Sequence, residues 1–392
     1  MTTFLTRKAL RFFSIVGGGI IVALILWLAT NVLNIPLPGT DTSPIDLRVV
    51  VAPAAFDWAS EAAERFNAED HRQDRRPITV HVTEQDGLSL YAQANATALN
   101  PPPAAWIAEG AFTLDLVNLA ARQASGQEAF EANGSVAQSA LMWGGFADRV
   151  SALDARFGGL TWSALQNAAI AQNGWSSLGG RPEWGFFKLV LPDPRKSAEG
   201  LAALLAAAAE FHNKTDVGPA DINDVRFQQW AQSLIGAVPN FATLGVEPAS
   251  ALAVRGPSVG DAGLLLESDW LRSATSAFTL RYASTAIVFD FPFAVWVGAE
   301  TNATPDAANR RQAERQAALQ FHDYLLQDAQ QRRVEAFGLR PASGTAANGQ
   351  DSLFARWASL GVQSGRPATA PVKASADAVQ AALRWAERAA GR

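Results

Sequence analysis

The stretch best suited to hold a small molecule runs Pro182-Glu183-Trp184-Gly185-Phe186-Phe187-Lys188-Leu189-Val190-Leu191-Pro192-Asp193-Pro194-Arg195-Lys196-Ser197-Ala198-Glu199-Gly200-Leu201. An apolar run, a Pro-Asp-Pro turn and then an Ala- and Leu-rich segment spell strand, tight turn and helix N-terminus. Ser197 is suited to cap that helix, and Gly200 leaves its first turn without a side chain. Unsatisfied N–H groups and the helix dipole at such a terminus attract an anion or a hydroxyl-rich ligand. Most strand-to-helix turns bind nothing, so the spacing alone leaves both readings open. Asp193 in the turn, Glu199 in the first helical turn, and Glu109 and Glu267 at the ends of apolar runs are the carboxylates that could join such a site.

Other chemistry is thinly represented. There is no Cys, which removes disulfides, thiolate catalysis and Cys-ligated metal. His71, His81, His212 and His322 lie far apart without metal-ligand spacing. Gly17-Gly18-Gly19 is followed by no Lys, and no GxSxG elbow occurs. The expectation is therefore a binding protein and not an enzyme, with no catalytic residue, no metal and no cofactor. A net charge of −5 argues against nucleic acid as partner, since a phosphate-binding surface needs clustered Lys and Arg.

Phe12 to Leu33 holds no charge over roughly 22 residues, about the length that spans a hydrocarbon core. Arg7, Lys8 and Arg11 precede it, which places residues 1–34 as a cytoplasmic stub and transmembrane anchor with everything after Pro36 outside the cell. The competing reading is a cleaved signal peptide, but Leu28-Ala29-Thr30-Asn31 makes a poor cleavage site. Residues 35–45 form a Pro-rich linker.

Beyond the linker, short apolar runs alternate with helical patterns, which predicts α/β layers. Strands are expected at Leu47–Val51, Ile78–Val82, Ala104–Ile107, Phe186–Leu191, Gly263–Leu266, Ile287–Phe289 and Phe293–Val297. Helices are expected near Asp57–Asn67, Thr113–Arg122, Thr161–Ala171, Ser197–Phe211, Asp224–Leu234, from Asp269 onward, Asp306–Gln331 and Ala376–Ala389.

The run PEWGxFKL…DPxxSxxGL resembles the bacterial extracellular solute-binding proteins of the type 2 periplasmic fold, relatives of molybdate- and sulfate-binding proteins. Further pieces follow in the order expected of that family: Val50-Val51-Ala52-Pro53-Ala54, Ala105-Trp106-Ile107-Ala108, Leu160-Thr161-Trp162-Ser163-Ala164-Leu165, Tyr324-Leu325-Leu326, and Phe337-Gly338-Leu339-Arg340-Pro341-Ala342. The resemblance covers about residues 46 to 343. It implies two α/β lobes, one of 46–138 plus 285–392 and the other of 139–284, closing by hinge motion on a small molecule. It implies ligand contacts at Pro53 and Ala54, at Glu109 and Gly110, at Asp193, Ser197, Glu199 and Gly200, and at Glu267. It also implies delivery to an ABC-type permease.

Ala52, Ala108 and Ala198 stand where family members often carry hydroxyls, and three Glu residues could gather at the same cleft. Unpaired carboxylates oppose an anion, so a cationic or neutral ligand is expected over an oxyanion. The alternative function is a tethered sensor or interaction module that kept the fold with a degenerate cleft.

Overall fold

The computed structural model describes residues 43–97, 99, 101–245, 247–298, 304–347, 349 and 352–389. The expected membrane span at Phe12–Leu33 lies outside them. Among the described residues, no helix is long and apolar enough to cross a membrane.

β1 (Ile45–Val51) is buried on alternate faces at first and on both faces over Val49–Val51, as a central strand of a covered sheet must be. α1 (Pro53–Ala68) follows directly. It starts four residues before the expected Asp57, because Pro53 occupies the first helical position, where a missing N–H is harmless. Ala55, Trp58, Ala59, Ala62, Ala63 and Phe66 form its buried face at helical spacing. The chain continues through β2 (Arg76–Glu84), α2 (Gly87–Thr97), β3 (Ala105–Ile107), α3 (Ala111–Ser125) and β4 (Phe130–Ser135). β1 pairs in parallel with β2 and β3, with Val51 opposite both Glu84 and Ile107. The loops that leave the carboxyl ends of these strands therefore emerge together, where ligands bind in open α/β sheets.

A second sheet takes over from β5 (Leu141–Phe146) and uses β6 (Leu189–Val190), α4 (Ala198–Phe211), α5 (Val225–Gly236), β7 (Ala262–Leu266), α6 (Glu267–Ser273) and β8 (Phe278–Tyr282). Its strand order is β8-β5-β7-β6, with only β6 and β7 parallel. Gly144 of β5 is required by packing: a Cβ there would stand 2.5 Å from the ring of Trp270 on α6. The chain then returns to the first sheet as β9 (Pro292–Trp296), antiparallel between β3 and β4. The completed first sheet has six strands, the outermost being Arg72–Gln73 beside β2.

α7 (Pro305–Leu325) covers the first sheet against β1, β9 and α1. It is shorter than the expected Asp306–Gln331. Gln327 is extended and starts a separate short helix at Asp328–Arg333, and the Gln331 side chain donates back to the Leu325 carbonyl. α8 (Ala376–Ala389) was expected in the first lobe; it packs against α3 on that side and against α4 and α5 on the other. The expected strand Phe186–Leu191 shrinks to Leu189–Val190. The Lys188 N–H donates to the Asp261 carboxylate, and Phe186 projects into solvent at 67% exposure.

Candidate functional site

The carboxyl ends of β1, β2 and β3 face the N-terminus of α4 across a cleft of about 1040 Å³. One wall carries Pro53, Ala54 and Asp57 of α1 together with Glu84, the last residue of β2, and Gln85 and Asp86, which follow it. The facing wall carries Asp193, Ser197 and Glu199 from the strand–turn–helix, Asp269 and Arg272 of α6, and Phe241. Glu109, Lys196 and Glu247 also line it.

The walls touch at two points. Asp86 Oδ2 accepts the N–H of Ala198, the first residue of α4, at 2.9 Å, while its Oδ1 accepts the N–H of Leu88 at 2.8 Å. Asp57 of α1 lies 3.8 Å from Arg272 of α6. Within the facing wall, Ser197 caps α4 by accepting from the Gly200 N–H, and Arg195 grips Asp193 through two side-chain bonds of 2.8 Å. Burial pushes the Asp193 carboxyl up, but the hydrogen bonds and charge of Arg195 outweigh it and hold the group below its usual range.

Glu109, Asp86 and Glu199 accept from backbone donors and lack such a cationic partner. Glu109 is 4% exposed; its Oε1 accepts from Gly87 N–H at 2.8 Å and its Oε2 has no partner. Burial, reinforced by the charge of Asp86, pushes Glu109 up to about 8. Burial likewise raises Asp86 to about 6, against the lowering effect of its two backbone donors. Glu199 accepts the Leu266 N–H at 2.6 Å, yet burial and the nearby Asp269 raise it well above the carboxylate range. Asp269 is itself raised by burial, opposed by Arg272 at 2.9 Å. Near neutral pH Glu109 therefore holds a proton. It would ionise when a cation enters, and as an acid it can also donate to a neutral oxygen.

Six of the expected contact residues line this cleft: Pro53, Ala54, Glu109, Asp193, Ser197 and Glu199. Three do not. Gly110 lies against the stretch that leads into β9, where a Cβ would meet the Val288 carbonyl at 2.8 Å. Gly200 serves packing, since a Cβ would stand 2.3 Å from the Pro192 carbonyl, so the helix start lies tight on the Pro192–Pro194 turn. Glu267 is a structural residue. It is 0% exposed and joined in two parallel bonds to Arg340, Oε2 to Nε at 2.7 Å and Oε1 to Nη2 at 2.8 Å. Tyr282 and the carbonyls of Gln363, Ser364 and Gly365 complete that junction, which ties α6 and β8 to the C-terminal segment. The Pro182–Trp184 motif is also structural: Trp184 stacks on Arg149, whose guanidinium lies 3.7 Å from the ring.

Asp86, Asp269, Arg272 and Phe241 were missed. Asp86 does have a local signature, an Asp before Gly87 and the apolar Leu88, Leu90 and Tyr91, which marks a helix start. Nothing local shows that its second oxygen reaches a helix 112 residues away. Among the described residues, no three acidic or His side chains are placed to hold a metal ion.

No family model matches this sequence, and no curated protein is similar to it in sequence. Solved structures are similar in fold. Iron-bound HitA from Pseudomonas aeruginosa matches with a TM-score of 0.52 at 13% identity, over 88% of this chain and 99% of that one. The ABC substrate-binding protein Lmo0181 from Listeria monocytogenes, in complex with cycloalternan, matches with a TM-score of 0.50 at 11% identity, over 90% and 98%. Identity this low carries the fold and nothing finer. The chain has the mixed α/β fold of the two-lobed periplasmic and ABC substrate-binding proteins.

Proposed function

We propose that this protein is a membrane-anchored, extracytoplasmic solute-binding protein that captures a small cationic or neutral molecule between two lobes and hands it to an ABC-type permease. The observation that carries this reading is the cleft of about 1040 Å³ at the carboxyl ends of the parallel strands, within the size range of small-molecule sites. Its lining supports the ligand class: eight carboxyl side chains face three basic ones, and two of those three basic groups, Arg195 and Arg272, are already paired. Phe56, Phe241 and Phe289 add aromatic surface for an apolar body or an ammonium group. The apolar stretch Phe12–Leu33 with its preceding basic residues supports the anchor and the export of the body.

Calorimetry of the full-length chain in detergent, titrated with panels of amines, neutral sugars and oxyanions, tests the reading. Saturable binding of an amine or a sugar is expected. Binding of no member of any panel would turn the assignment to the tethered sensor or interaction module, and tight oxyanion binding by the wild type would overturn the ligand class.

A further inference from the structure

A helix of 14 residues that opens at Ser197 presents the positive end of its dipole to the cleft. The free N–H groups and the dipole of a helix start suit an anionic group, and here the place is taken. Asp86, carried on the opposite wall between β2 and α2, puts Oδ2 at 2.9 Å from the Ala198 N–H. Its other oxygen is fixed by the Leu88 N–H, so the carboxylate is held by its own helix start while it serves the other one. The nearest carboxyl behind it, Glu109, is buried with one oxygen unpartnered, so no cation neutralises the pair. An incoming anion would meet both a filled seat and the negative charge that fills it.

We infer that Asp86 is the specificity-determining residue of the cleft: its carboxylate stands in for an anionic ligand at the N-terminus of α4 and so excludes anionic solutes. The inference rests on the solute-cleft reading above and deepens it, since it names the side chain that sets the ligand's charge. It also accounts for Glu109 and Glu199 being tolerated in the same cleft: with the helix end already satisfied, they are left to face a cation or a hydroxyl.

The test is a gain of function. Asp86→Ala vacates the seat, and Asp86→Ser vacates it while keeping a hydroxyl for the Leu88 N–H, so one variant serves if the other fails to fold. Each full-length variant is titrated in detergent at pH 7.5 with sulfate and with inorganic phosphate, at constant ionic strength. The wild type is expected to give no saturable heat. The folded Asp86 variants are expected to bind at least about tenfold more tightly than the wild-type limit. Glu64→Ala removes an exposed carboxylate of α1 that does not line the cleft and is expected to behave as wild type. A folded Asp86 variant without saturable anion binding overturns the inference, and so does equal gain in Glu64→Ala, which would assign the exclusion to overall charge. Failure of the wild type to bind any amine or sugar would count against the proposed function and leave this result standing.

Discussion

Two kinds of buried carboxyl in this molecule have opposite fates. Glu267 is matched atom for atom by the Arg340 guanidinium and a tyrosine hydroxyl, in a junction closed to solvent. Glu199 and Glu109 line the cleft with a backbone donor each and no cation, and burial raises both carboxyls. Burial alone therefore does not tell a structural carboxylate from a ligand-facing one. The presence or absence of a matched cation does, since a paired charge is satisfied within the fold and an unpaired one waits for something from outside.

The largest expected effect lies at the paired end of this comparison. Arg340→Ala strands the Glu267 charge and four carbonyls, and should lower stability by about 3–5 kcal/mol in denaturant unfolding. Removing both charges in Glu267→Gln/Arg340→Met should recover at least about 1 kcal/mol of that loss. A double variant as unstable as the single one would show that the pair matters for its shape and not its charge.

At the unpaired end the sign reverses. The Glu109 carboxyl is raised from 4.5 to about 8 in the folded protein, so between those values the folded state binds more protons than the unfolded one. Its contribution is full below about pH 4.5 and is lost as pH rises through 8. Glu109→Gln should accordingly match the wild type near pH 4 and exceed it by roughly 4 kcal/mol at pH 9. Melting curves across that range check this, and parallel pH profiles for the two proteins would show that Glu109 is ionised throughout.

The smallest effect is steric. A Cβ on Gly87 would meet Glu109 Oε2 at 2.6 Å and the Thr113 side chain at 2.9 Å. Gly87→Ala should cost about 1–2 kcal/mol and push the Glu109 carboxyl toward the cleft, which the pH profile of the same variant would report. A variant of unchanged stability would mean that this corner of the wall is loosely packed.

Local pattern carried much of the fold and part of the site. β1, α4 and α8 follow their apolar spacing, and the Pro192–Ser197 turn lands on the cleft wall because turn chemistry and capping are encoded within a few residues. What stayed hidden depends on partners far away in sequence. Glu267 looked like a ligand carboxylate until Arg340, 73 residues on, claimed it. Asp86 carries only the local signature of a helix start, and Phe186 looked like a strand residue until Asp261 took the Lys188 backbone donor. Whether residues 12–33 form a span rests on their hydropathy, which none of these contacts addresses.

The C-terminal helix has a kinetic corollary. α8 binds the first wall through the Gln380–Tyr91 hydrogen bond and its packing on α3, and the second through Gln232 to the Ala389 carbonyl and its packing on α4 and α5. Any motion that widens the cleft must shear one of those interfaces, so the barrier to opening contains the packing of a whole amphipathic helix. Under the proposed function, opening to release a solute would include the peeling of α8, and slow exchange is the expected consequence.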